Sequence, residues 1–384
     1  MALLRTHHRD SGIVIRTVSA VVFLLFTFLW IYYLQSDLLA YAQHLHSGGR
    51  TQYYRLPGAL LITAALWLLQ LVVYSMVRLR NHLHALTYFP SMLCLGLLGG
   101  FSAGASFGLW RLLLVIVLLV LWGGLVWVVL QFQKHERPQR SGFFSRSMWV
   151  NLLLQALMMV SVVAVSSTSA VLLYRAHVET CLQDRRFDEA LLTGSRSLES
   201  DAHLTMLRAY ALSRRHELGE RLFHYAVSGT SADLVPGTAD SHSRLLRYPQ
   251  DSIYRHLGAI PRAQQTTAGY LQALQHSGQA TTAVADYVLC GQLIDRDLDA
   301  FARTVTRYYT LADSLSLPRH YREALVLYRH LRSHPVVVYR HAVTDEDYRN
   351  LQELEAKYSD PRERKIRVLE NYQGSYWYYY EYMR

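Results

Sequence analysis

Acidic side chains are almost missing from the first 174 residues, where Asp10, Asp37 and Glu136 face 12 lysines and arginines. The remaining residues hold 26 acidic and 27 basic side chains, so nearly all of the formal charge of +10 belongs to the first part. Nucleic-acid binding would place the basic excess on a soluble face, and here that face is close to neutral, so no nucleic-acid partner is expected. The excess fits loops that orient membrane spans instead. Cysteine is scarce too. Cys94, Cys181 and Cys290 make no disulfide framework. Cys181 and Cys290 would pair only in an oxidising compartment, and nothing local favours it, so they are read as buried free thiols.

Motifs that carry chemistry are missing as well. The chain has no phosphate-cradling glycine loop, His-Glu-x-x-His, nucleophile elbow or Cys-x-x-Cys. His44 with His46, and His82 with His84, read as solvated pairs in loops rather than metal ligands. The carboxylates of the second half are interleaved with arginine, as on solvated helix faces. No catalytic, cofactor or metal-ligating residue is nominated, and no cofactor is expected.

What the sequence does contain is apolar runs. Val150–Tyr174 is 25 residues without a charge, long enough as a helix to cross a bilayer core of roughly 30 Å. Earlier runs place spans at about 17–34, 58–77, 86–109 and 112–132. The first follows Arg5, Arg9 and Arg16 and ends in Trp30, Tyr32 and Tyr33. That pattern suits a retained helix better than a cleaved leader. No Asp, Glu, Lys or Arg lies deep in any run, which argues against a pump or proton-coupled transporter. With the N-terminus in the cytoplasm, the cytoplasmic segments hold nine Lys and Arg and the opposite loops three. The positive-inside rule then puts the C-terminal half outside, in the periplasm of a two-membrane bacterium.

In the third run Gly96, Gly100, Gly104 and Gly108 recur every four residues, a smooth stripe that lets another helix approach. We read it as packing on a neighbour such as the fourth span with its Gly123-Gly124. The alternative is a homodimer seam, which would make the chain a homo-oligomer.

From Arg175 the spacing of apolar residues is helical. Arg186–Leu191, Ala202–Leu212 and His320–Leu325 resemble parts of tetratricopeptide units, with an aromatic three residues before a small alanine, and 279–291 with 297–311 reads as another pair. Such pairs bury their apolar faces only by stacking. Residues 229–261, with Gly229, Pro236, Gly237, Pro249 and Pro261, read as an irregular insertion. Thr344 with Asp347 predicts a capped helix to about Tyr358, and Asp360-Pro361 the start of the next. The closing aromatics Tyr376, Trp377, Tyr378, Tyr379 and Tyr380 either pack on the end of the helical stack or form a partner or glycan surface.

At LLRYPQ (245–250), LPRHYREAL (317–325) and GSYWYYY (374–380) the chain resembles an uncharacterised family of bacterial polytopic inner-membrane proteins with a repeat-like soluble tail. The resemblance covers mainly residues 180–384, implies an inner-membrane location and brings no catalytic residues.

The resulting expectation is an all-α protein. A five-helix transmembrane bundle over 1–174 precedes a soluble TPR-like α-solenoid over 175–384. Its expected role is that of a non-enzymatic scaffold or adaptor, with membrane lipid around the spans and an envelope protein on the periplasmic domain. The alternative is a component of an envelope glycan or lipid pathway, enzymatic or not, that uses the outer loops and the aromatic tail.

Overall fold

The computed structural model describes residues 2–77, 79, 81–99, 109–133, 145–166, 169–261, 263–311 and 317–383, and among them every regular element is helical. The chain divides into two compact units, Met1–Leu172 and Leu173–Arg384.

In the first unit, the near-continuous Leu, Val and Ile runs give long helices with little polar face. Helix α1 (Ala2–Leu29) continues through a π-helical turn, Trp30–Gln35, into α2 (Ser36–Ser47). Next come α3 (Arg55–Val77), a 3₁₀ segment Asn81–Tyr88, α4 (Phe89–Gly99), α5 (Leu109–Gln133) and α6 (Arg146–Val165). Among the described residues four stretches are long and apolar enough to cross a membrane: Ile13–Ser47, Arg55–Val77, Leu112–Phe132 and Arg146–Ala164. Leu61, Val120 and Leu153 on α3, α5 and α6 point outward without cover, as lipid-facing side chains do. Of the expected third span only the first part is among the described residues, within the apolar helix Leu83–Gly99, which is kinked at Leu83. Gly100, Gly104 and Gly108 lie outside the described residues.

One expectation for the spans of this unit needs correction. The stretch 150–174 is not one helix: α6 ends at Val165, and α7 (Ala170–Gln183) begins after a break. Ser166 is a turn and Ser169 lies outside both helices, and serine hydroxyls compete for backbone hydrogen bonds; Ser167 and Thr168 lie outside the described residues. Of the four glycines in the stripe, only Gly96 is among the described residues, with Gly99 beside it on α4. A Cβ on Gly99 would lie 1.9 Å from Ser166 Oγ, whereas Gly123 and Gly124 on α5 have nothing within 4 Å. Gly96 is buried on α4 and borders a cavity of about 290 Å³ with Leu118 and Met158. Neutral polar side chains tie the helices together. Asn151 Oδ1 accepts from the Ala85 N–H at 2.7 Å, Gln155 Nε2 donates to Ser19 O at 2.8 Å, and Gln35 Nε2 donates to Ser166 Oγ at 3.2 Å. His84, expected in solvent, is buried between Tyr74 and Tyr88.

The second unit runs from α7 through α8 (Phe187–Leu192), α9 (Ala202–Arg214), α10 (Leu218–Arg221), α11 (Gln250–Leu257), α12 (Thr267–His276), α13 (Thr282–Ile294) and α14 (Leu298–Tyr308). It closes with α15 (Arg319–Leu331), α16 (Ala342–Lys357), α17 (Pro361–Tyr372) and α18 (Tyr376–Tyr382). Asp201, Asp297 and Asp360 cap α9, α14 and α17 through their side chains.

One joint recurs between consecutive helices. After α7, α9 and α13 the chain turns on a left-handed residue, Arg185 (φ 58°), His216 (φ 58°) and Arg296 (φ 60°). The next amide reaches back five residues each time: Arg186 N to Cys181 O at 2.8 Å, Glu217 N to Leu212 O and Asp297 N to Gln292 O, both at 2.9 Å. Gly278 (φ 67°) makes the same turn after α12, with Gln279 N bonded to Leu274 O at 3.2 Å. This is the Schellman closure of a helix end.

Residues 229–261 are no loose insertion. Leu234, Val235, Ile253 and Leu257 are buried in the core. Thr230 and Asp233 form a capping box, and the same carboxylate accepts from the His242 N–H at 2.8 Å. Helix α16 also starts earlier than the predicted Thr344 cap: His341 caps it, its Nδ1 accepting from the Thr344 N–H at 3.2 Å.

Candidate functional site

The site begins with one buried carboxylate. Glu179 on α7 accepts three successive backbone N–H groups, from Leu246 at 2.7 Å, Arg247 at 2.5 Å and Tyr248 at 2.8 Å. Burial pushes its carboxyl up, against the pull of those amides and of Arg175. The LLRYPQ segment is thereby pinned to α7, which sets Tyr248 beside Tyr210 of α9 with their hydroxyls 3.0 Å apart.

These side chains form one wall of an open cavity of about 440 Å³ between the end of α7, α9 and α11. Arg185, Arg214 and Arg255 line it, and no carboxylate does. Arg214 lies 5.2 Å from the Phe187 ring centroid and donates to Tyr210 Oη at 3.3 Å. Elsewhere in this unit arginines meet acids, as in Arg221–Glu217, Arg329–Asp345 and Arg332–Asp299, each at 2.7 Å. In a unit balanced in charge, three guanidiniums without an acid around one cavity leave a local positive potential.

One pair at the cavity, His256 and Ser213, resembles part of a nucleophilic site and lacks its geometry. His256 lines it and shares a 2.8 Å hydrogen bond with Ser213 Oγ. Burial, helped by Arg214 and His216, pushes His256 down to about 4, so the imidazole is neutral. A serine nucleophile, however, needs an exposed hydroxyl and a third group that orients its base. Ser213 is buried, and the neighbours that act on His256 are cationic.

The closing aromatics are placed differently from a partner or glycan surface. Tyr376, Trp377, Tyr378 and Tyr379 are buried, and Tyr380 is half-buried. Glu323 organises them: its Oε2 accepts from the Tyr376 N–H at 2.7 Å and its main-chain O from Trp377 Nε1 at 2.9 Å. Tyr379 Oη donates to Ile294 O at 2.8 Å, and Arg296 lies over the Tyr379 ring. Backbone carbonyls take the polar tips of Trp377 and Tyr379, a carboxylate takes the Tyr376 N–H and a guanidinium covers the Tyr379 ring, so the aromatic helix belongs to the core.

Residues 267–383, from α12 into the last turn of the chain, match a family of unknown function (DUF6057). The match contains the Glu323 centre and the aromatic helix; the arginine-lined cavity lies before it. No curated protein and no solved structure matches the chain.

The sequence reading missed Glu179, Glu323 and the cavity arginines. The two glutamates sit among arginines and read as solvated, yet they are 1% and 3% exposed. The three arginines are scattered over 71 positions of chain and meet only through the fold. The LLRYPQ stretch, singled out for resemblance alone, was the one local signal.

Proposed function

We propose that this chain is a membrane-anchored scaffold or adaptor whose helical-repeat unit binds a protein partner of the cell envelope through that partner's acidic groups. The single observation that carries the reading is the open cavity lined by Arg185, Arg214 and Arg255 and by no carboxylate. Four helices able to span a bilayer support the anchoring role. With Leu83–Gly99 as a fifth and shorter crossing, an inside start and nine against three basic residues, the second unit stands in the periplasm. The joint that recurs after α7, α9, α12 and α13 supports a tetratricopeptide-like stack. The alternative role in a glycan or lipid pathway would rest on the outer-face loops, because four of the five closing aromatics are buried.

Cross-linked affinity capture with the detergent-solubilised full chain tests the proposal. Partners held by the native protein should be lost from an Arg214→Glu/Arg255→Glu variant and should elute at raised salt. An identical set of partners on the variant would falsify the assignment of the cavity.

A further inference from the structure

On the same helix that supplies Glu179, a second group of side chains converges. His177 and Cys181 are four residues apart on α7 and share one face. The Schellman turn at Arg185 folds the chain back so that Glu189, in the first turn of α8, joins them. His177 Nε2 lies 3.6 Å from Cys181 Sγ and 3.7 Å from Glu189 Oε1, and the three donor atoms lie within 4.8 Å of one another. Among the described residues this is the one cluster of His, Cys, Asp and Glu to do so. Donor atoms around a tetrahedral zinc ion stand about 3.3–3.6 Å apart, given its usual bond lengths.

We infer that His177, Cys181 and Glu189 form a binding site for a zinc-class divalent transition metal.

The donor set selects the ion. A thiolate, an imidazole and a carboxylate suit zinc or cobalt(II), whereas magnesium and calcium take oxygen ligands. The surroundings suit a ligating carboxylate as well. Arg186 Nη1 bonds Glu189 Oε2, which leaves Oε1 turned toward His177. A ligand oriented by an outer hydrogen bond is the usual arrangement at metal sites. Asp184 accepts from Arg186 Nη2 at 2.7 Å and offsets the guanidinium charge. With the ion bound and the thiol deprotonated, the two positive groups and three anions sum to zero. Cys181 is buried, while the side chains of His177 and Glu189 are 31% and 46% exposed. The ion therefore enters from the solvent side, and a water completes its coordination.

Cobalt(II) titration of the metal-stripped full chain in detergent tests the site. The expected result is one equivalent bound, with a thiolate-to-cobalt charge-transfer band that zinc displaces. Cys181→Ser should abolish the band. His177→Ala and Glu189→Gln should each weaken binding at least about tenfold, and Arg186→Ala by about 10–100-fold. Absence of the band in folded native protein overturns the inference. Persistence of the band in Cys181→Ser does the same, because Cys94 or Cys290 would then be the thiolate. Should Cys181→Ser fail to fold, the exposed Glu189→Gln variant decides: unchanged affinity overturns the site.

Discussion

Two buried glutamates hold the second unit's non-helical and terminal segments in place. Glu179 replaces water for three consecutive amides of LLRYPQ, and removing it strands donors that each cost about 1–3 kcal/mol when buried and unpaired. Glu323 does the same for the start of α18, with His320 Nδ1 at 3.0 Å and Arg319 Nε at 2.7 Å on its carboxylate. Burial raises the Glu323 carboxyl, but His320, Arg319 and the Tyr376 N–H together hold it below the ordinary 4.5. A carboxyl with a lowered folded value stabilises the fold fully above its unfolded value and loses that contribution as pH falls through the folded one. Glu323→Gln should therefore cost about 3–5 kcal/mol near neutrality. The gap to the native protein in thermal unfolding should close as pH drops below about 4.5. A gap that stays constant into acid would mean that the ionised carboxylate is not its source. Neither glutamate was legible in the sequence, because periodicity reports which helix face is apolar and says nothing about a lone charge that finds backbone partners far along the chain.

Helices were legible where their signals are local. Apolar runs gave the long helices of the first unit, and Asp360-Pro361 gave the start of α17. The ends were harder to read. The cluster at 166–169 looked like a polar patch inside a span, whereas α6 ends at Val165 and α7 starts at Ala170. The recurring joint was hidden for a related reason: Schellman turns are ordinarily marked by glycine, and three of the four in the second unit use Arg185, His216 and Arg296. A side chain in the left-handed region costs about 1 kcal/mol. His216 is exposed, and its imidazole acts on His256 and Asp286 through charge. His216→Gly should raise stability by about 0.5–1 kcal/mol, the released strain being offset in part by glycine's greater freedom in the unfolded chain. Thermal unfolding of the two proteins side by side checks it. A loss of stability would show that the imidazole does more than fill the turn. Arg185 and Arg296 do not offer this test, since Arg185 lines the cavity and Arg296 donates to Tyr379 O and Met383 O.

For the whole molecule, charge and hydropathy divide the labour. Both are sums over residues and survive the loss of all geometric detail, which is why the sequence conveyed the presence of a span-rich half and a charge-balanced half. The arginine-lined cavity is a property of juxtaposition, and no sum reveals it. Orientation belongs to the first kind. Four of the nine basic residues assigned to the cytoplasm, Lys134, Arg137, Arg140 and Arg146, fall in the single loop that the sequence predicts between the fourth and fifth spans, Arg146 being the first residue of α6. A reporter fused after Arg384 that is active only outside the cytoplasm should be active on the native chain, and a cytosol-restricted one silent; the reverse result overturns the periplasmic placement. Neutralising the four loop residues reduces the imbalance to five against three. The positive-inside bias would then be too weak to fix α6 in one direction, and both reporters should give signal. If the loop variant keeps a single orientation, the apolar helices themselves set the topology, and the charge asymmetry of the first 174 residues needs another explanation.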